Sequence, residues 1–382
     1  MLRYAKVFGA ACVLALALCA CGSDGRGNAP AAPSYADVGT ILDRLTGADG
    51  APGALLEVRD AHGRTVLTRG VANIDTHTPL SGDSRFRIGS MTKMFVATVV
   101  LQLVGEQKIA LDTPVEQYLP GVIKGNGNDG RDITVRHLLQ HTSGLPDYVQ
   151  YLDLTELVRN PGAHHDPLDL VNLALDQPRL FAPGDGWQYS NTDYVVAGML
   201  IEKVTGHPYA EEIERRITRP LALDGTSVPG DDSAIPGVHP QGYARPADAL
   251  LDMTLINPTV AGASGAMIST AGDMNRFLTA LLNGQLLHPS ELQAMMTTRP
   301  AEDGSGSAYG LGLMSTPLPC GGLSWGHDGG IPGFRTLTAA TTDGRTATAM
   351  SNQYPGGDAQ ISDMNTAVAT ALCDSAPSKP NP

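Results

Sequence analysis

Between Met91 and Glu106 the chain reads MTKMFVATVVLQLVGE, an apolar stretch broken by only a few polar side chains. It is too long for an ordinary strand, and its apolar residues cover every side of a helix. Such a helix must be enclosed on all sides, so the chain has to supply layers around it. Its 382 residues are ample for that, as one large domain or two small ones. The 27 prolines and 44 glycines imply many turns, which argues against a plain helical bundle.

Outside this helix, the ends of the chain read as β-rich and the middle as helical. A helix is expected over Tyr35–Leu45. Ala54–Arg59 and Thr65–Val71 flank a glycine-containing turn and read as a hairpin. Phe86–Ile88 is a short strand. The region from about 107 to 260 reads as mostly helical, with Thr134 capping Val135–Gln140 and further helices at Tyr194–Thr205 and Ala210–Ile217. After about residue 263 strand signals return: Tyr309–Ser315, Leu323–His327, Arg335–Thr341 and Thr346–Ser351. The last two flank an Asp343-Gly344 turn. Ile361–Leu372 closes the body as an amphipathic helix. The expected fold class is α+β. An antiparallel sheet is built from both termini and flanked by helices, with an inserted, mostly helical subdomain.

Chemistry concentrates where a strand meets the buried helix. Ser90 and Lys93 stand at i and i+3, on one helix face. Only 6 of the 26 cations are lysines, and this one lies among Met91, Met94, Phe95 and Val96. Burial and the positive end of the helix both lower an ammonium's pKa, turning the lysine into a usable base for the serine. Backbone N–H groups at the same helix end favour a developing oxyanion. Two further patterns follow, Tyr189-Ser190-Asn191 and His327-Asp328-Gly329. Ser-x-x-Lys, Tyr-x-Asn and His-x-Gly each occur once, in that order.

Together these motifs resemble the penicillin-recognising serine hydrolases, the family of class C β-lactamases and serine D-Ala-D-Ala carboxypeptidases, with related esterases and amidases. Leu138-Leu139-Gln140-His141-Thr142-Ser143-Gly144-Leu145, the run Pro183–Asn191 and the blocks at Leu111–Val115 and Tyr118–Pro120 extend the likeness over about 36–373. The resemblance implies that Ser90 forms an acyl-enzyme, Lys93 holds or takes its proton, and Tyr189 shuttles protons. Asn191 would bind the substrate amide, and His327, Gly329 and Gly330 would line its strand. The N–H groups of Ser90 and Gly330 would make an oxyanion hole. A nearby Lys93 ammonium is expected to favour the Tyr189 phenolate. No cofactor or metal is implied.

Carboxypeptidase prototypes often place threonines after the His and the Gly, to receive a terminal carboxylate. Here Asp328 and Gly330 stand there. Strand alternation expects Asp328 to face away from the site. Arg335 is a candidate carboxylate partner. The most direct reading is an exported D-alanyl-D-alanine carboxypeptidase-like enzyme; alternatives are a class C-type β-lactamase, an esterase and a catalytically inert lipid-anchored binding protein. Its partners would be a small-molecule or peptidoglycan-peptide substrate and acylating β-lactams, and the chain would be a monomer. A net charge of −13, with no basic run, excludes a nucleic-acid partner.

The N-terminus carries Arg3 and Lys6 before an apolar run from Val7 to Ala20, an export signal too short for a comfortable membrane span. Leu18-Cys19-Ala20-Cys21 resembles the lipobox of bacterial lipoproteins, although Cys19 replaces the usual small residue. The likeness implies a signal peptide over 1–20, lipidation of Cys21, a flexible tether over 21–35 and anchorage outside the cytoplasmic membrane. The hydrolase domain would then span 36–375, followed by a disordered tail, 376–382. Cys320 and Cys373 remain. In an oxidising setting a bridge between them would close a long loop and contribute about 4 kcal/mol in the loop-entropy account.

Two further patterns are decoys. Gly322-Leu323-Ser324-Trp325-Gly326 matches the serine elbow of another hydrolase fold but lacks a following helix. His137 and His141 have zinc-helix spacing without the glutamate a zinc protease needs; they read as structural.

Overall fold

Strands from both ends of the chain pair into one antiparallel sheet of nine. The computed structural model describes residues 35–245, 249–301 and 304–374. The expected signal peptide, Cys21, nearly all of the tether, and the tail lie outside them. The N-terminal part supplies β1 (Gly53–Asp60), β2 (Gly63–Asn73) and β3 (Thr78–Pro79). The C-terminal part supplies β4 (Arg299–Pro300), β5 (Ala308–Tyr309), β6 (Met314–Pro317), β7 (Leu323–Ile331), β8 (Phe334–Ala340) and β9 (Thr346–Ser351). The two halves join where β1 pairs with β9, Leu56 standing opposite Ala349.

Alternation along β1 feeds two cores. Ala54, Leu56 and Val58 pack with Val38 and Leu42 of α1 (Ala36–Thr46) and with residues of the C-terminal helix Asp358–Asp374, among them Met364 and Val368. Leu55 faces the larger core on the other side, through which α2 (Thr92–Gly105) runs. Phe95 of α2 stacks on Phe277 at 3.8 Å between ring centroids. Truncating a buried ring of this kind costs about 3–5 kcal/mol. Glu57 shares the Leu55 face and is fully buried, yet Arg59 and Arg64 reach its two carboxylate oxygens at 2.8 and 2.9 Å. The paired charges offset its desolvation.

The expected insertion is helical, with segments at Val135–Leu139, Leu154–Arg159, Pro167–Leu175, α3 (Asn191–Thr205) and Tyr209–Ile213. Leu138, Leu170, Val195 and Leu200 from this region join the core around α2. It is a layer of the same body, and the described residues from Tyr35 on form one compact unit.

Two expectations after residue 263 are corrected. That stretch also contains α4 (Ala271–Leu282) and a helix at Pro289–Met295. Thr270 caps α4 by accepting from the Asp273 N–H, and Met274, Phe277, Leu278 and Leu281 make its buried stripe at helical spacing. The single strand expected over Tyr309–Ser315 is two strands, β5 and β6, separated by a tight turn. Gly312 in that turn has φ 76°, and a Cβ there would sit 2.5 Å from Ala97 of α2. Close approach to the buried helix breaks the strand. The Cys320 and Cys373 sulfurs meet at 2.12 Å, with Cα atoms 5.7 Å apart. No helix among the described residues is long and apolar enough to cross a membrane.

Candidate active site

Ser90 lies in a single 3-10 turn, Gly89–Met91, that leads straight into α2. Gly89 makes the placement possible. Its φ is 53°, and a Cβ there would come within 2.8 Å of the Gly330 nitrogen. The peptide before Ser90 is thereby pressed against β7 at Gly330, with no room for a side chain between. Thr336 on β8 adds a hydrogen bond to the Ile88 carbonyl at 2.9 Å.

Lys93 occupies the first turn of α2 and is completely buried. Its Nζ lies 3.1 Å from Ser90 Oγ, 2.7 Å from Asn191 Oδ1 and 2.8 Å from the Ser264 carbonyl oxygen. Burial lowers its pKa to about 7, against the opposing pull of Asp147, Asp328 and Asp193. The last two of the three contacts are carbonyl oxygens, which can only accept. A neutral amine has two hydrogens for them and one lone pair, which then points at Ser90. That arrangement suits a base for the serine hydroxyl.

Ser190 is the extended residue before α3, so Tyr189 and Asn191 enter the site from that helix's start. Asn191 Nδ2 donates to Asp147 at 3.0 Å while its carbonyl takes Lys93. It therefore links the lysine to a carboxylate, in addition to whatever its remaining hydrogen and lone pair can bind. The Tyr189 ring sits 4.8 Å from Lys93 Nζ. Its hydroxyl is buried and completes no protein hydrogen bond, although Ser90 lies close enough to favour the phenolate. Burial prevails and holds the phenol well above its ordinary pKa. The expected phenolate is thus corrected: desolvation, with the charges of Asp328 and Asp147, disfavours the ionised form, which suits a neutral hydroxyl.

His327 lies on β7 and is almost completely buried. Its Nδ1 meets the Asp328 carbonyl oxygen at 2.5 Å and its Nε2 meets the Tyr309 hydroxyl at 2.9 Å. The carbonyl can only accept, so Nδ1 carries the proton and Nε2 accepts from the tyrosine. Burial pushes its pKa down to about 4, and the ring is neutral. With both nitrogens engaged, His327 props the strand from beneath. Gly329 is equally tight: a Cβ there would lie 2.1 Å from the Ile88 oxygen.

Asp328 lies, as strand alternation expects, on the face opposite His327, and it shares that face with Arg335 of β8. Its Oδ1 returns to 3.6 Å from His327 Nδ1, and its Oδ2 accepts from Arg335 at 2.6 Å. Its charge acts on both Lys93 and Tyr189. The carboxylate therefore lies at the site's edge. Burial works to raise its pKa, but Arg335 and His327 hold it below the ordinary carboxyl value.

A deeper layer escaped the sequence reading. The His141 ring, at a residue with φ 59°, packs tilted against the Tyr189 ring at 4.3 Å, and its Nδ1 lies 3.0 Å from Asp193 Oδ2. Ser143 donates to the other Asp193 oxygen at 2.5 Å. Burial raises the Asp193 pKa and lowers that of His141. His141 belonged to a quoted motif block, yet nothing in the spacing marked Asp193 as its partner. The zinc spacing with His137 has a local cause: His137 closes a capping box with Thr134. Ser324 lies within β7, its hydroxyl turned to the Thr316 carbonyl at 3.2 Å, away from any elbow.

The family model described as Beta-lactamase matches residues 39–371. A D-stereospecific amidohydrolase from Streptomyces sp. is 41% identical, with 89% of this chain and 98% of that one aligned at a TM-score of 0.82. The D-amino acid amidase of Ochrobactrum anthropi SV3, solved with L-phenylalanine amide, is 29% identical over 89% of this chain and 98% of its own, at 0.79. Penicillin-binding protein 4* of Bacillus subtilis (strain 168) is 28% identical over 288 residues, which span 72% of this chain and 62% of that protein. The helix-flanked antiparallel sheet expected from sequence is the architecture of these solved relatives.

Proposed function

This chain belongs to the beta-lactamase family, and on that premise we propose that it is an exported serine hydrolase that opens amides of D-configured acyl groups through an acyl-enzyme on Ser90. The observation that carries the reading is Lys93, buried, near-neutral in pKa and aimed at Ser90 Oγ across 3.1 Å. The D-stereospecific relative, at 41% identity over nearly its whole length, supports the substrate class.

The steps balance as follows. Neutral Lys93 takes the Ser90 proton as Oγ attacks the carbonyl carbon. The oxyanion forms between the backbone N–H groups of Ser90 and Gly330, which Gly89 brings together. As the C–N bond breaks, the Tyr189 hydroxyl gives its proton to the leaving nitrogen and recovers one from Lys93. A water molecule then repeats the sequence on the ester, with Tyr189 and Lys93 relaying its proton, and Ser90 is released. β-Lactams, being strained amides, fit the same acylation step.

A D-Ala-D-Ala carboxypeptidase is the second reading, favoured by the penicillin-binding relative. A substrate panel separates them: a D-amino-acid amide, a D-Ala-D-Ala peptide, a chromogenic cephalosporin and a p-nitrophenyl ester. Fastest turnover of the D-amide, with the L-amide slow, supports the proposal. No turnover of any acyl donor would return the chain to the inert binding class.

The same reading places the enzyme outside the cytoplasmic membrane, held by lipid on Cys21. Multiple acyl chains suffice for stable anchorage. Cys21→Ser should release active enzyme to the soluble fraction; a wild-type protein already soluble and unlipidated would refute the anchor.

A further inference from the structure

β7 pairs with β6 over Leu323–Gly326, and among the described residues His327 to Ile331 continue past that pairing beside the Gly89–Met91 turn. Arg335 stands on β8 directly opposite Gly330. Its guanidinium would be a ready receptor for a substrate carboxylate beside the scissile bond, since it offers a planar fork of donors. The fork is already engaged. Its Nη2 donates to Asp328 Oδ2 at 2.6 Å, and the group lies 6.0 Å over the Tyr354 ring. Asp328 itself is about one-third exposed, at 35%, while Arg335 is more covered, at 16%. An arriving anion therefore meets the aspartate before it meets the arginine.

We propose that Asp328 plugs an anion subsite: by satisfying Arg335 from within the protein, it bars leaving groups that carry a carboxylate and restricts the enzyme to amides and esters with uncharged leaving groups. The inference rests on the hydrolase reading above and names the leaving-group class for that site. The wider field agrees with it. The carboxylates whose charges act on Lys93 are Asp147, Asp328 and Asp193, so a further anion near the reaction centre would be repelled. Exclusion by a like charge is specificity through an unfavourable contact, and it can be reversed by one substitution.

The test compares N-acetyl-D-alanyl-D-alanine with its C-terminal amide, two peptides that differ only in the charge of the leaving group. Wild-type enzyme should favour the amide in kcat/KM by about tenfold or more. Asp328→Asn, which frees the Arg335 fork, should lower that ratio by about tenfold or more, mainly by quickening the free acid. Adding Arg335→Gln should abolish the gain. A wild type that cleaves the free acid as fast as the amide overturns the inference without need of any variant, and so does an unchanged ratio in a folded Asp328→Asn enzyme. A burst of p-nitrophenol from p-nitrophenyl acetate is read on the same preparation. A burst together with preference for the free acid refutes the plug alone, whereas no burst refutes the hydrolase reading and the plug with it.

Discussion

Lys93 Nζ and Asn191 Oδ1 lie 2.7 Å apart, although 98 residues separate them in the chain. The contact joins the Ser-x-x-Lys turn to the Tyr-x-Asn segment. Together with the Ser264 carbonyl it fixes which side of the amine faces Ser90. The site is thus assembled around a lysine whose lone pair has one direction to point.

That geometry sets a pH dependence. The active base is the neutral amine, which exists above its pKa, and burial has lowered this pKa from 10.5 to about 7. Acylation kcat/KM should rise with pH through about 7 and then level. His327, with its pKa near 4, stays neutral across that window and adds no limb there. Asp147→Asn removes one charge that favours the ammonium, so the rising limb should move to lower pH. The check is a pH–rate profile under acylation-limited conditions. A limb at the ordinary lysine value, or an upward move in Asp147→Asn, would contradict this account.

Gly89 supplies a second prediction. In Gly89→Ala, a methyl group would be forced to within 2.8 Å of the Gly330 nitrogen, in a backbone region with φ 53°. Strain of about 1–3 kcal/mol is expected. Because the displaced peptides are the proposed oxyanion donors, kcat should fall by about a hundredfold. Urea melts and steady-state kinetics on the same protein check both effects. Retained turnover would mean that the two N–H groups do not hold the oxyanion.

The residues that meet in the candidate site were legible as candidates, because Ser90, Lys93, Tyr189 and Asn191 fall into short patterns, and the fold brings them together. The sheet built from both termini was legible too, since hairpin signals such as Asp343-Gly344 are local. What lay beyond reach depends on burial and long-range packing. Asp147, Asp193 and Ser264 gain their roles only when the fold brings them beside Lys93. The Tyr189 phenolate was expected from a neighbouring charge, but desolvation, invisible in sequence, raises the phenol's pKa. Strand alternation put Asp328 on the face opposite His327, but its pairing with Arg335, which shares that face from β8, depends on a cross-strand register that the sequence does not show. Helix α4 carried a readable stripe, Met274, Phe277, Leu278 and Leu281, which was passed over among the strand signals.

The third prediction concerns the two cysteines, one in the β6–β7 turn and one near the end of the C-terminal helix. Mature protein should show Cys320 and Cys373 bridged in a non-reduced mass spectrum. Reduction should lower the unfolding free energy by about 4 kcal/mol if loop entropy dominates. Two free thiols in exported material, or an unchanged melting curve after reduction, would contradict the expected bridge.

The most direct test of the central claim is a peptide map of the trapped acyl-enzyme. Wild-type protein is quenched in acid after a brief exposure to a labelled penicillin or an activated D-amino-acid ester, digested and analysed by mass. The account predicts one adduct, on the peptide carrying Ser90, absent from Ser90→Ala, with turnover in that variant reduced by about a thousandfold or more. An adduct on another residue such as Ser324, or hydrolysis that survives in Ser90→Ala, would contradict it.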